Sequence, residues 1–244
     1  MLEQLKRWLR SPVPQTAEPS PNHQVIFSQA LAAYPTHAPP HKGYGHQLTP
    51  DQAQQNLDWF RDSLPQRLTS LRALLAGTGL PLRDEDLSPD TLDAALDLVR
   101  RLIDWTRACW PGAPYQPRHL SEADWLASDR QGDDAIFSVV LDVATLMGQW
   151  VMAGRPEWRW GLDMSRASLG HQPMLTARRV VLTTPLLGTQ RVPCMMDMEV
   201  LVLERYLKPR DLHFNGALAD DPWMEYVRDG YTGRVIDMHL FASS

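Results

Sequence analysis

The chain is poor in cysteine and has no surplus of positive charge. Two cysteines in 244 residues cannot build the disulfide framework of a small secreted domain; Cys109 ends an amphipathic stretch, Cys194 opens an apolar run, and both read as core thiols. With 24 Lys and Arg against 29 Asp and Glu, the formal net charge is −5. That balance lacks the electrostatic drive a phosphate backbone demands, so no nucleic-acid partner is expected; a basic protein partner suits it better. The opening MLEQLKRWLR interrupts its apolar residues with charges and offers no small-residue cleavage site. No secretory signal is read there, and a cytoplasmic location is expected. Also missing are HExxH, paired Cys-x-x-Cys, G-x-S-x-G, the P-loop and G-x-G-x-x-G, which removes the common zinc, nucleophile-elbow and nucleotide-binding chemistries that sequence can announce.

What is present is a core-forming chain with 43% hydrophobic residues, nine tryptophans and twenty prolines. Eight of the prolines (Pro12, Pro14, Pro19, Pro21, Pro35, Pro39, Pro40 and Pro50) fall in the first fifty residues. Proline fixes φ and removes a donor, so residues 1–48 are expected to form an arm or strap with short helices, one of them from Asn22 to Ala33. Residues 49–244 are expected to form one globular α+β domain. Thr49-Pro50-Asp51 reads as a helix start. Pro65 is expected to restart a second helix that Gly77 and Gly79 stop. Ser88-Pro89-Asp90 opens a third helix, with Leu92, Leu96, Val99, Ile103 and Thr106 on one face and an Asp97–Arg101 surface pair.

Ala135 to Gly154 is apolar for a length that could span a bilayer. Asp142 would lie at its centre at a cost of several kcal/mol, so the segment is expected to be a buried central helix and no membrane partner is foreseen. Its polar residues Ser138, Asp142, Thr145 and Gln149 fall on one narrow stripe, which either faces a solvent edge or bonds a neighbouring element. Beyond it the period changes to two. Trp158 and Trp160 should point inward together from a strand that continues to Met164, and Met174 to Thr184 reads as another. Val192 to Leu207 reads as helix, Pro222 to Asp229 as a short helix, and Arg234 to Phe241 as the last strand. Helices first and mixed elements later give an α+β fold, mostly helical over its N-terminal two-thirds, with a small, mainly antiparallel sheet in the C-terminal part.

Chemistry-bearing groups are scattered. His37, His41 and His46 lie in a proline-broken loop without nearby carboxylate or cysteine, so no metal and no cofactor are expected. Asp142 is the one lone carboxylate on an apolar helix; as a catalytic group it would need a partner such as His171 or His213. Carboxylates cluster at Asp84, Glu85 and Asp86, at Asp129, Asp133 and Asp134, and at Asp220 and Asp221. Together with Trp223 these are the candidate partner-binding residues, although the same carboxylates could serve as solvated helix caps. Trp59, Trp110, Trp125 and Trp223 lie near element ends, where an indole can pack while its N–H stays wet.

The segments LDWFRDSLPQRLTSLRALLAGTGL, SPDTL, DVATLMGQWVMAGRPEWRWGLD and HQPMLT resemble those of small bacterial cytosolic proteins of the toxin-immunity type. The likeness spans roughly residues 49–188 and rests on core packing, so it carries over no functional residue. It implies a non-enzymatic protein that occludes the active site of a cognate toxin, of the kind delivered by type VI or contact-dependent secretion. Two other readings stand beside it: an adaptor or chaperone for a secreted effector, and an enzyme whose site is assembled from residues distant in sequence. The oligomeric state is not readable.

Overall fold

The computed structural model describes residues 21–43, 47–113, 122–164, 168–169, 172–173, 176–186, 193–207 and 221–234. The architecture is α+β: seven helices among the described residues, and a small three-stranded antiparallel sheet in the C-terminal part.

Helix α1 (Pro21–Ala32) sends Phe27 and Leu31 into the core, with Phe27 edge-on to Trp105 at 5.7 Å. The stretch after it is pinned to the body. The His41 N–H donates to Asn56 Oδ1 and the Asn56 amide donates back to the His41 carbonyl. Helix α2 (Pro50–Gly77) begins as expected, with Thr49 and Gln52 closing a reciprocal capping box and Pro50 in the first turn. It does not break at Pro65. An interior proline costs one backbone bond, but Leu57 and Phe60 before it and Leu71, Leu74 and Leu75 after it share one buried face, and that common burial carries the helix through.

Helix α3 (Leu92–Cys109) starts three residues later than Pro89 suggests, because Thr91 rather than Ser88 supplies the cap, accepting from the Ala94 N–H. Its apolar stripe of Leu96, Val99, Ile103 and Thr106 is buried. Asp97 pairs with Arg100, while Arg101 reaches the Pro81 carbonyl instead. A short helix α4 (Glu122–Ala127) carries Trp125 into the interior. Helix α5 (Ile136–Gly154) is the central element: α2, α6 and α7 pack around it. It is the one helix among the described residues long and apolar enough to cross a membrane, and nearly all of it is buried by its own neighbours.

The sheet consists of β1 (Arg159–Leu162), β4 (Val180–Thr183) and β5 (Met195–Met196), with β4 in the middle and Trp160 opposite Leu182. Trp158 and Trp160 are both buried as the alternation requires. The loop between β1 and β4 contains a hairpin of its own, β2 (Ser168–Leu169) paired with β3 (Gln172–Pro173). Residues 176–179 turn rather than extend, so the strand expected from Met174 is shorter. The expected helix from Val192 is really edge strand β5 followed by helix α6 (Met198–Leu207), and Asp197 marks the switch by accepting the Val200 N–H. Helix α7 (Pro222–Thr232) is capped by Asp221. The strand expected to end at Phe241 lies outside the described residues.

Candidate functional site

The polar stripe of α5 faces protein, not water. Ser138, Asp142 and Thr145 are buried and Gln149 is half-buried. Ser138 Oγ accepts the His37 N–H at 2.9 Å, and the Thr145 hydroxyl donates to the Leu141 carbonyl of its own helix. Asp142 is held on both oxygens by Arg67: Nε donates to Oδ1 at 3.0 Å and Nη2 to Oδ2 at 2.5 Å. The Tyr34 hydroxyl donates to Oδ2 as well, and Arg67 spends another N–H on the Pro35 carbonyl. Burial pushes the Asp142 carboxyl up to about 6, against the downward pull of Arg67 and Tyr34. Burial and the Asp142 charge also drive the Tyr34 phenol well above its usual range. The arrangement locks the strap to α2 and α5.

A second buried network reaches the N-terminal turn of α5. Arg130 donates to the Phe137 carbonyl and to Glu199 Oε1 at 2.8 Å; Arg179 reaches Glu199 Oε2 at 3.2 Å and Asp197 at 2.6 Å. The Arg179 guanidinium lies 4.7 Å from the Trp125 ring centre. Burial alone would pull Arg179 toward its neutral form, but Asp197 and Glu199 reverse this and hold its pKa above the ordinary value.

Beside this second network opens a cleft of about 140 Å³, bounded by the strap at His37 to Gly43, by Asn56 and Phe60 of α2, by residues 126–131, and by Arg178 to Val180 at the start of β4. Its charged lining is Lys42, Arg130, Arg178 and Arg179 against Asp129 and Glu199. His37 lines it too, edge-on to Trp59 at 4.6 Å. Burial, with help from Arg130 and Arg67, holds the imidazole well below its normal pKa and therefore neutral.

Of the residues singled out from sequence, four are exposed: Asp84, Glu85, Asp129 and Asp133. Asp84 pairs with Arg72, Glu85 with Arg83, and Asp129 with Lys42. Asp134 is half-buried and accepts from the Ser128 hydroxyl at 2.6 Å. Asp86 is withdrawn from the surface: it is buried, and bonds from Arg83 outweigh that burial and keep its pKa low. Asp221 is half-buried, caps α7 and pairs with Arg205. Trp223 is fully buried, its indole N–H donating to the Leu201 carbonyl and Arg205 stacked on its ring, so it cannot anchor a partner. Asp220, His46, His171 and His213 lie outside the described residues. Of the four tryptophans near element ends, Trp59 is half-buried and Trp110, Trp125 and Trp223 are buried, Trp110 and Trp125 with no bond to the indole N–H among the described residues.

No family model, curated protein or solved structure matches the chain. The site therefore rests on its own geometry. No group of three or more His, Cys, Asp or Glu among the described residues is placed to hold a metal ion. The residues that sequence reading passed over are Arg67, Arg130, Arg178, Arg179 and Glu199. Arg67 sits on the apolar face of α2, and a basic residue on such a face is the signal that could have paired it with Asp142. For the others, spread over 70 residues of chain, no local pattern exists.

Proposed function

We propose that the chain is a non-catalytic binding protein of the immunity type, which neutralises a cognate toxin by covering it. The observation that carries this reading is the fate of Asp142. It is the one lone carboxylate on the core helix, and its oxygens accept from Arg67 and Tyr34. Three donors meet it, and a carboxylate engaged in this way ties the strap, α2 and α5 together. The exposed carboxylates Asp84, Glu85, Asp129 and Asp133 and the net charge of −5 suit a basic partner surface, where complementary charge speeds encounter and rejects wrong partners. The adaptor reading has less support: the large exposed apolar side chains among the described residues, Val25, Met164, Leu186 and Tyr226, come from four different stretches of the fold. Co-expression with the products of neighbouring genes tests the proposal. A stable complex with one of them and protection of cells from it is the expected result; no complex and no protection ends the idea.

A further inference from the structure

Two non-glycine residues among the described ones hold a positive φ: Arg130 at 55° and Arg178 at 58°. Both are arginines, and both line the same cleft. A left-handed conformation at an ordinary residue costs on the order of 1 kcal/mol or more and persists where the surroundings impose it, which happens preferentially at ligand sites. Two such residues converging on one hollow call for a common cause. The chain as a whole is acidic, yet this hollow has four cations against two carboxylates in its lining. Arg130 and Arg179 are compensated by Glu199 and Asp197. Arg178 is not: its guanidinium donates to the Leu48 carbonyl and meets no carboxylate among the described residues. On the strap side, His37 adds an imidazole to the lining.

From this we infer that the cleft is a binding site for a small organic anion, with Arg178 taking its carboxylate or phosphate head. Guanidinium presents paired N–H donors that match either head group. The apolar part of the lining, Phe60, Leu126, Leu141 and Val180, suits a compact hydrocarbon body behind the head. A volume of about 140 Å³ is close to the roughly 150 Å³ of a cavity that takes up benzene, so the ligand is the size of a substituted benzene ring and not of a nucleotide. The site goes beyond the protein-binding role proposed above and does not depend on it.

The experiment uses the full chain alone. Benzoate, inorganic phosphate and the neutral benzyl alcohol are titrated by calorimetry, and the melting temperature is followed against concentration of each. Benzoate or phosphate should bind saturably and raise the melting temperature as mass action requires. Binding by benzoate alone assigns the carboxylate with its apolar body, and binding by phosphate alone assigns the phosphate head. Arg178→Gly removes the charge and its bond to the Leu48 carbonyl while relieving the left-handed backbone, so it should stay folded yet bind about tenfold more weakly or worse. Arg178→Gln keeps the backbone conformation and should lose the same binding. The inference is overturned if neither anion saturates at tens of millimolar, if benzyl alcohol binds as well as benzoate, or if either folded variant binds like the parent.

Discussion

A carboxylate placed on an apolar helix must either reach water or be met inside, and Asp142 is met by Arg67. Breaking such a pair from one side leaves a buried charge without compensation, so Arg67→Met should cost about 3–5 kcal/mol in urea denaturation at neutral pH. The pH dependence at this site has two opposing parts. Asp142 is raised to about 6 from 3.8. Over that window the folded chain holds a proton that the unfolded chain has released. Its contribution is therefore complete below 3.8 and is lost as pH rises through 6. The stability of the parent relative to Asp142→Asn should fall between pH 4 and pH 7; a difference that rises instead would mean that Arg67 outweighs burial. His37 acts the other way. Its folded pKa lies well below 6.5, so the unfolded chain takes up a proton first and stability falls as pH drops below about 6.5. Relative to His37→Gln, the parent should lose about 1.4 kcal/mol per pH unit below that point, until the folded pKa is reached.

At the scale of elements, the close approach of the central helix to the sheet turns on one position. A Cβ built on Gly148 of α5 would lie 2.3 Å from the Trp160 ring of β1, and that ring is already packed on Phe60 at 5.1 Å. Gly148→Ala should therefore destabilise by about 1–3 kcal/mol, the usual range for overpacking, even though alanine is the better helix former. Pro65 points the opposite way. It is exposed in the middle of α2, and Pro65→Ala returns an N–H to the Arg61 carbonyl, so a gain of about 1 kcal/mol is expected in thermal melts. These two positions also show what sequence reading can and cannot see. Periodicity marked α3 and α5 because one face of each is continuously apolar, and the capping chemistry of Thr49 is local. Pro65 misled because a breaker rule is local while the burial that overrides it comes from α1, α5 and β1. The edge strand β5 was hidden because two residues have no period; only the pairing of Leu182 with Met196 defines it.

On the scale of the whole molecule, the cleft was invisible from sequence because its charged lining comes from positions 42, 129, 130, 178, 179 and 199, which only tertiary packing gathers. The acidic clusters were visible, but not their separation. The Trp150 indole near the C-terminal end of α5 donates to the Asp86 carbonyl, so Asp84 and Glu85 sit at that end, while Asp133 and Asp134 precede the helix N-terminus. Sixteen residues at 1.5 Å each place the two groups about 24 Å apart. A standard interface covers about 800 Å² per partner, a patch roughly 30 Å across, and its energy concentrates near the centre. Both groups can then lie within one footprint, but only one can lie in its core. If a basic partner is gripped as proposed, Asp84→Lys/Glu85→Lys and Asp129→Lys/Asp133→Lys should each slow association at low salt, since both weaken the long-range field. Only one of them should speed dissociation, by about tenfold or more, because only contacts at the core set the lifetime of the complex. Stopped-flow association and surface-capture dissociation measure the two rates separately. The Asp129/Asp133 pair is the one expected to matter: Asp129 answers Lys42, but Asp133 has no ion-pair partner among the described residues, whereas both Asp84 and Glu85 already answer Arg72 and Arg83 and present a more muted field to a newcomer. Should neither double reversal alter dissociation, the partner contacts a face that the acidic clusters do not mark.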